Sequence, residues 1–324
     1  MSPPGLEEAF AANRPALWAL AYRMLGTTAD ADEAVQDAFL RALERPPADL
    51  GRPWAPWLVR VLMNLSRDRL RRRRRRPYHG AWLPSPVATD PADHLDVTCL
   101  FSEGAERSTG APPAPPDARY DLLESVSMAF LVALEELTPQ QRAVLVLRDV
   151  CDCSGAEAAE VLGISLANVK VTLHRARRKL AAYRATRQPL TPDLQARSLA
   201  LMQAFGMAVM SGDLDAAIAL VEDDAIARSD GGGVVAAANH PVVGPAAIAK
   251  LYLGLSKRSE GRLQIGFGHY NGLPALLGYD PTPPKGWSSR YVLSMLPGPD
   301  GRLRALFSVL HPDKIAAVDF SSVL

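Results

Sequence analysis

Apolar residues recur at three- and four-residue spacing in three successive stretches after Glu124, and a capping residue opens each one. Thr138 followed by Pro139 is an N-cap with proline at the first helical position, and Ala143, Val144, Leu147 and Val150 supply the buried side. Ser154 caps a shorter helix that buries Ala158, Ala159, Val161 and Leu162; Gly163 makes the turn, and Ser165 caps a third helix. On that last helix Leu166, Val169, Leu173, Ala176 and Leu180 face inward, leaving Asn168, Lys170, Val171, Thr172, His174 and Arg175 outward at its N-terminal half. The order predicts a helix-turn-helix. Every charged residue from Ser165 to Tyr183 is basic, so the outward side suits a polyanion. Asn, Lys and Arg there can reach base edges in a major groove, while Arg177, Arg178 and Lys179 reach phosphates.

Upstream, Trp54, Trp57, Leu58, Val61, Leu62, Leu65 and Leu70 outline another helix, which runs into Arg67, Arg69 and the unbroken run Arg71 to Arg76. Eight arginines within ten residues attract a polyanion, although such runs also occur as solvated arms. Trp54 and Trp57 fit either of two uses: packing in a core, or stacking on unpaired bases, worth about 1 to 3 kcal/mol per base. Before them, Leu17, Leu20, Ala21, Met24 and Leu25 precede an acidic helix from Asp30 to Leu43 that buries Val35, Ala38, Phe39 and Ala42. Glu33, Gln36 and Asp37, at i, i+3 and i+4, share its exposed side, which is either wet surface or a docking face for a basic partner.

The C-terminal pattern differs. Leu194 to Met210, Leu214 to Val221 and Gly244 to Lys257 read as helices, and strand-like runs follow at Leu263 to Tyr270, Leu273 to Tyr279, Ser288 to Leu296 and Leu303 to Leu310. Helices first and a meander after them predict an α+β domain with a curved sheet wrapped on helices.

Composition adds constraints. At 324 residues the chain is roughly two or three domains long, and 48% hydrophobic residues permit real cores. The net charge of +1 hides basic density at Arg67 to Arg76 and Lys170 to Arg187 against acidic density at Asp30 to Asp37 and Asp213 to Asp224. No apolar run reaches about 18 residues and no signal-peptide pattern opens the chain, so no membrane association and a cytoplasmic location are expected. Cys99, Cys151 and Cys153 lack companions at metal-site spacing, so neither a metal nor a cofactor is expected. Pro84 to Asp117, with Pro112 to Pro116 near its end, reads as a flexible to semi-rigid tether, and a second joint lies at Gln188 to Pro192.

Tyr22-Arg23-Met24-Leu25-Gly26 with the acidic helix, Trp57-Leu58-Val59-Arg60-Val61-Leu62-Met63-Asn64, and the helix-turn-helix together resemble regions 2 and 4 of an extracytoplasmic-function (ECF) sigma factor. The resemblance implies a multidomain chain. Two all-α sigma modules, the region 2 helical bundle at 1–80 and the region 4 helix-turn-helix at 120–187, would be joined by a linker at 81–119 and followed by an α+β SnoaL-like cone at 193–324. It implies core RNA polymerase and promoter DNA as partners. Glu33, Gln36 and Asp37 would grip the coiled coil of the polymerase largest subunit. Trp54, Trp57, Asn64, Arg67 and Arg71, with the segment Leu50 to Trp54, would serve the melted minus-10 element and the DNA backbone near the fork. Asn168, Lys170, Val171, His174, Arg175 and Arg178 would serve the minus-35 element.

Three further motifs are similar to those of the ECF group with a fused SnoaL-like domain: Trp82-Leu83-Pro84-Ser85-Pro86, Asp230-Gly231-Gly232-Gly233, and His311-Pro312-Asp313-Lys314-Ile315. The family forms are close to WLPEP, DGGGK and NPDKL, so Ser85, Val234 and His311 are departures. The resemblance marks Trp82, Pro84, Asp230, Gly231, Gly232, Gly233, Asp313 and Lys314 as regulatory contacts, and a cone of this kind can enclose a small-molecule ligand. Asp230, His240, His269 and Tyr270 are the acid-base candidates, but they form no paired constellation, and a lone Asp before three glycines reads as a tight loop. No enzyme is therefore expected. The rival readings are a ligand-sensing DNA-binding regulator that acts without polymerase, and a SnoaL-type enzyme.

Overall fold

A computed structural model describes residues 3, 5–89, 95–97, 99–102, 120–259 and 261–323. Helix α1 (Leu6–Leu25) starts well before Leu17 and carries Pro15 within it. It turns into α2 (Thr28–Glu44) because Gly26 adopts φ 79° while the Thr27 hydroxyl accepts a hydrogen bond from the Asp30 N–H at 3.2 Å. α3 (Trp54–Arg74) completes a bundle whose centre holds Leu17, Leu20, Met24, Ala34, Ala38, Leu58 and Leu62, all without exposed surface.

After the short α4 (Cys99–Ser102), the chain forms α5 (Met128–Ala133), α6 (Pro139–Leu145), α7 (Gly155–Leu162), α8 (Leu166–Lys179) and α9 (Ala181–Thr186). Capping boxes at Thr138/Gln141 and Ser154/Glu157, Gly163 at φ 64° and Ser165 as N-cap set the helix-turn-helix ends. The helix expected to run from Thr138 to Val150 differs in its last turn, where Val146–Val150 is π-helical and Cys151 N–H donates to Val146 O. Leu166 is 45% exposed rather than core, because at the first position of α8 it lies over Gly155, where a Cβ would meet it at 2.8 Å.

Buried arginines join this helical unit. Arg23 donates to Ser125 Oγ at 2.8 Å and to the carbonyls of Ala19 and Leu122, and burial lowers its pKa to about 10. Arg142 donates to Met24 O and Glu135, and Arg73 closes on both oxygens of Glu135 at 2.6 and 2.7 Å.

In the C-terminal part, α10 (Pro192–Ser211), α11 (Leu214–Ala219) and α12 (Pro245–Ser259) cover a six-stranded sheet of order β2-β1-β6-β5-β4-β3. Strands β3 (Gln264–Tyr270), β4 (Leu273–Tyr279), β5 (Arg290–Pro297) and β6 (Leu303–Val309) form the expected antiparallel meander. β1 (Val221–Asp230) was hidden behind the helical pattern of Leu214 to Val221; it pairs in parallel with β6 and antiparallel with β2 (Val242–Val243). Met202, Phe205, Ile248, Leu276, Leu293 and Leu306 fill the space between helices and sheet. α13 (Pro312–Ile315) follows β6. The architecture is therefore helical modules followed by a SnoaL-like α+β cone.

The chain divides into two compact units, residues 1–77 with 91–188, and residues 78–90 with 189–324. Residues 78–90 thus group with the cone, whereas the sequence reading ends the first module at 80 and assigns 81–119 to the linker. The Pro112 to Pro116 run lies outside the described residues. Within the second unit residues 78–89 act as a strap: Ala88 bridges Tyr270, and Val87 exchanges hydrogen bonds with Asn271, held at φ 54°. Among the described residues no helix is long and apolar enough to cross a membrane.

Candidate nucleic-acid interface and a buried clamp

On α8 the apolar positions Val169 and Ala176 are buried, so the helix presents Asn168, Lys170, Val171, His174, Arg175 and Arg178 on one exposed side. The structure brings all six together. Arg177 does not join them, although spacing places it among the phosphate contacts. Its Nε donates to Asp149 Oδ2 at 2.9 Å and its Nη2 to Asp149 Oδ1 at 2.6 Å. Hydrogen bonding to Asp149 raises the Arg177 pKa, while burial pushes the Asp149 carboxyl up and the two short bonds from Arg177 oppose that shift. Lys179 is likewise turned back, donating to Glu136 O at 3.0 Å.

α3 carries the other basic surface. Trp54 is 7% exposed and meets Trp57 edge to face, with centroids 6.0 Å apart, so Trp54 is core and half-buried Trp57 keeps the available ring. Asn64 is exposed and accepts from Arg67 Nη2 at 2.7 Å, and Arg71 is exposed beside Asp68. The run from Arg71 to Arg76 is not uniform: Arg73 and Arg74 are committed to Glu135 and to the carbonyls of Leu25, Glu135 and Leu137. Glu33 and Asp37 are tied by one guanidinium, that of Arg69, at 2.8 and 2.6 Å, with Gln36 exposed between them. Sequence spacing finds the acids but not this cation, which comes from a different helix.

The second unit contains the most constrained polar cluster. Asp230, read from sequence as a turn residue, ends β1 and is fully buried. Its carboxylate accepts from Lys314 Nζ at 2.6 Å, Leu83 N–H at 2.7 Å and Tyr78 Oη at 2.6 Å. Lys314 also donates to Leu83 O at 2.6 Å and lies over the rings of Tyr78 and Trp82, at 4.8 and 4.6 Å. The strap thus clasps a buried ion pair from both sides. Pro84 is buried beside it.

His311 caps α13 by accepting the Asp313 N–H on Nδ1 at 3.2 Å, so exposed Asp313 contributes through its backbone. Gly232, at φ 59°, passes so close to His311 that a Cβ would lie 2.1 Å from it, and Gly233 faces His79 in the same way at 3.1 Å. Gly231 is closed in by Val235 O. Tyr78 and the two Leu83 backbone groups are partners that motif spacing did not single out. An open cleft of about 350 Å³ beside these glycines is lined by His79, Gly80, Ser229, Asn239 and Gly286.

His240 and His269 are exposed on separate segments, and the Asp230 carboxylate is engaged by Lys314, Leu83 and Tyr78 instead. No set of three or more His, Cys, Asp or Glu groups among the described residues is arranged to hold a metal ion.

Residues 9–76 match the family model for Sigma-70 region 2, and residues 127–180 match that for Sigma-70, region 4. The chain is 33% identical over 321 residues to the ECF RNA polymerase sigma factor SigJ of Mycobacterium tuberculosis, covering 94% of this chain and 91% of SigJ. It is 35% identical over 230 residues to the ECF RNA polymerase sigma factor SigG of the same organism, covering 66% of this chain and 58% of SigG. The crystal structure of M. tuberculosis extracytoplasmic function sigma factor SigJ superposes with a TM-score of 0.66 and 29% identity, covering 96% of this chain and 98% of that chain.

Proposed function

The chain belongs to the extracytoplasmic-function RNA polymerase sigma factors, and from that membership we propose how its surfaces divide the work of directing polymerase to specific promoters. Glu33, Gln36 and Asp37 dock on core polymerase. Trp57, Asn64, Arg67 and Arg71 serve the minus-10 side, with Trp54 as the support behind Trp57. The exposed side of α8 reads the minus-35 element. The protein works in the cytoplasm, where polymerase and promoters meet.

The cone governs this activity by holding the strap. The observation that carries this reading is the Asp230 carboxylate, which spends its hydrogen bonds on Lys314 and on two groups of the strap. In sequence the strap directly follows Pro77, next to α3, so gripping or freeing it changes the constraint on the segment between the two sigma modules. A small ligand acting on the grip would enter the cleft beside Gly231 to Gly233. Run-off transcription with core polymerase tests the scheme. The wild type should give protein-dependent transcripts from the promoter of its own coding region, and Asp230→Asn should change their yield severalfold with core affinity unaltered. Equal yields from both would sink the regulatory role of the clamp.

A further inference from the structure

We infer that Arg177 and Asp149 are positioning residues that fix the rotational seat of α8, and thereby its choice of minus-35 bases, although neither touches DNA. The inference rests on the reading that α8 serves the minus-35 element. Its ground is geometric. Asp149 is 2% exposed, so it cannot reach a nucleic acid, yet it takes both arms of the Arg177 fork. Its own backbone is fixed as well, by the π turn Val146–Val150 and by the Tyr120 N–H donating to Asp149 O at 3.1 Å. The fork is therefore anchored to a turn with little freedom.

Arg177 follows Lys170 by seven residues, which returns it to the same stripe of the helix to within about 20°. A shift in the seat of Arg177 is transmitted to Lys170, Val171 and His174 through the rigid helix. A rotation of about 10° at a side-chain radius of about 6 Å moves an outer atom by about 1 Å. That distance separates a hydrogen bond to a base from none. A lysine keeps the charge at position 177 but lacks the planar fork, so it cannot hold the angle.

The test uses full-length protein with core polymerase on a promoter library randomised at the minus-35 element, with transcripts sequenced. Arg177→Lys should flatten base preference by about tenfold, the order of one mis-seated base contact. The slope of log affinity against log salt should stay at the wild-type value. Asp149→Asn should flatten the same positions despite being buried, and it keeps the test decisive if Arg177→Lys folds poorly. A uniform loss across all sequences, with a salt slope smaller by about 1, would make Arg177 a phosphate contact and overturn the inference. Unchanged preference in both variants would overturn it too. Lys170→Ala and His174→Ala examine the underlying reading separately: if neither alters minus-35 preference, α8 is not the reader, whatever Arg177 does.

Discussion

Replacing Lys314 by Met leaves the fully buried Asp230 carboxylate with the Tyr78 hydroxyl and the Leu83 N–H as its remaining partners. Removing one member of a buried pair costs about 3–5 kcal/mol, because the other charge stays desolvated. The two surviving donors put the expected loss at the lower end, about 3 kcal/mol. Asp230→Asn with Lys314→Met removes both charges and keeps the shape, so the double variant should recover about half of that loss. Urea unfolding of the full chain, followed by tryptophan fluorescence, gives the free energy for the transition that includes Trp82. Two units can melt separately, so that transition must be resolved before a single value is assigned. Hydrogen exchange at the Leu83 amide gives an independent readout of the grip. A loss below about 1 kcal/mol for Lys314→Met, or strictly additive single variants, would refute the argument that the pair acts as a unit.

Gly232→Ala puts a methyl group against the His311 ring at a residue with φ 59°, and should lower the melting temperature of the second unit by several degrees in calorimetry, for a cost of about 1–3 kcal/mol. Burial and a hydrogen bond to Asp300 push the Glu222 carboxyl up to about 7, so its contribution to stability is full below the ordinary carboxyl range and is lost as pH rises through about 7. Glu222→Gln should therefore gain about 1–2 kcal/mol at pH 8 after solvent screening, and nothing at pH 4; chemical denaturation at the two pH values checks the sign. Glu33→Lys with Asp37→Lys removes both partners of Arg69 and reverses the charge of the docking face. Core-polymerase binding by fluorescence anisotropy should fall by more than a hundredfold, while binding of the chain alone to nonspecific DNA is unchanged or stronger.

Legibility in the sequence tracked how local the determining physics was. Caps and turn glycines state their own case within four residues, so Thr138, Ser154, Gly163 and Ser165 mark helix ends that the structure places there. The meander was equally open, because alternation and its turns are short-range signals. β1 was not, since a parallel partner lies at the far end of the domain and its first residue completes an apolar helical pattern. Long-range pairing also decided the errors in charge assignment. Arg177 and Arg73 look like phosphate ligands in one dimension, and only Asp149 and Glu135, 28 and 62 residues away, reveal that they are taken. Asp230 was seen as a loop because its lysine follows 84 residues later.

The clasp between Leu83 and Lys314 spans 231 residues of chain. At a ribosomal rate of about 5–20 residues per second, Lys314 is made about 10–50 s after Leu83. Region 2, at residues 9–76, is made before that interval and region 4, at residues 127–180, within it, so both emerge and can reach their folds before β6 and α13 exist. Every new molecule therefore passes through a period in which both helical modules are present and Leu83 still lacks its Lys314 partner. On the proposed scheme, the grip on the strap comes later than either sigma module.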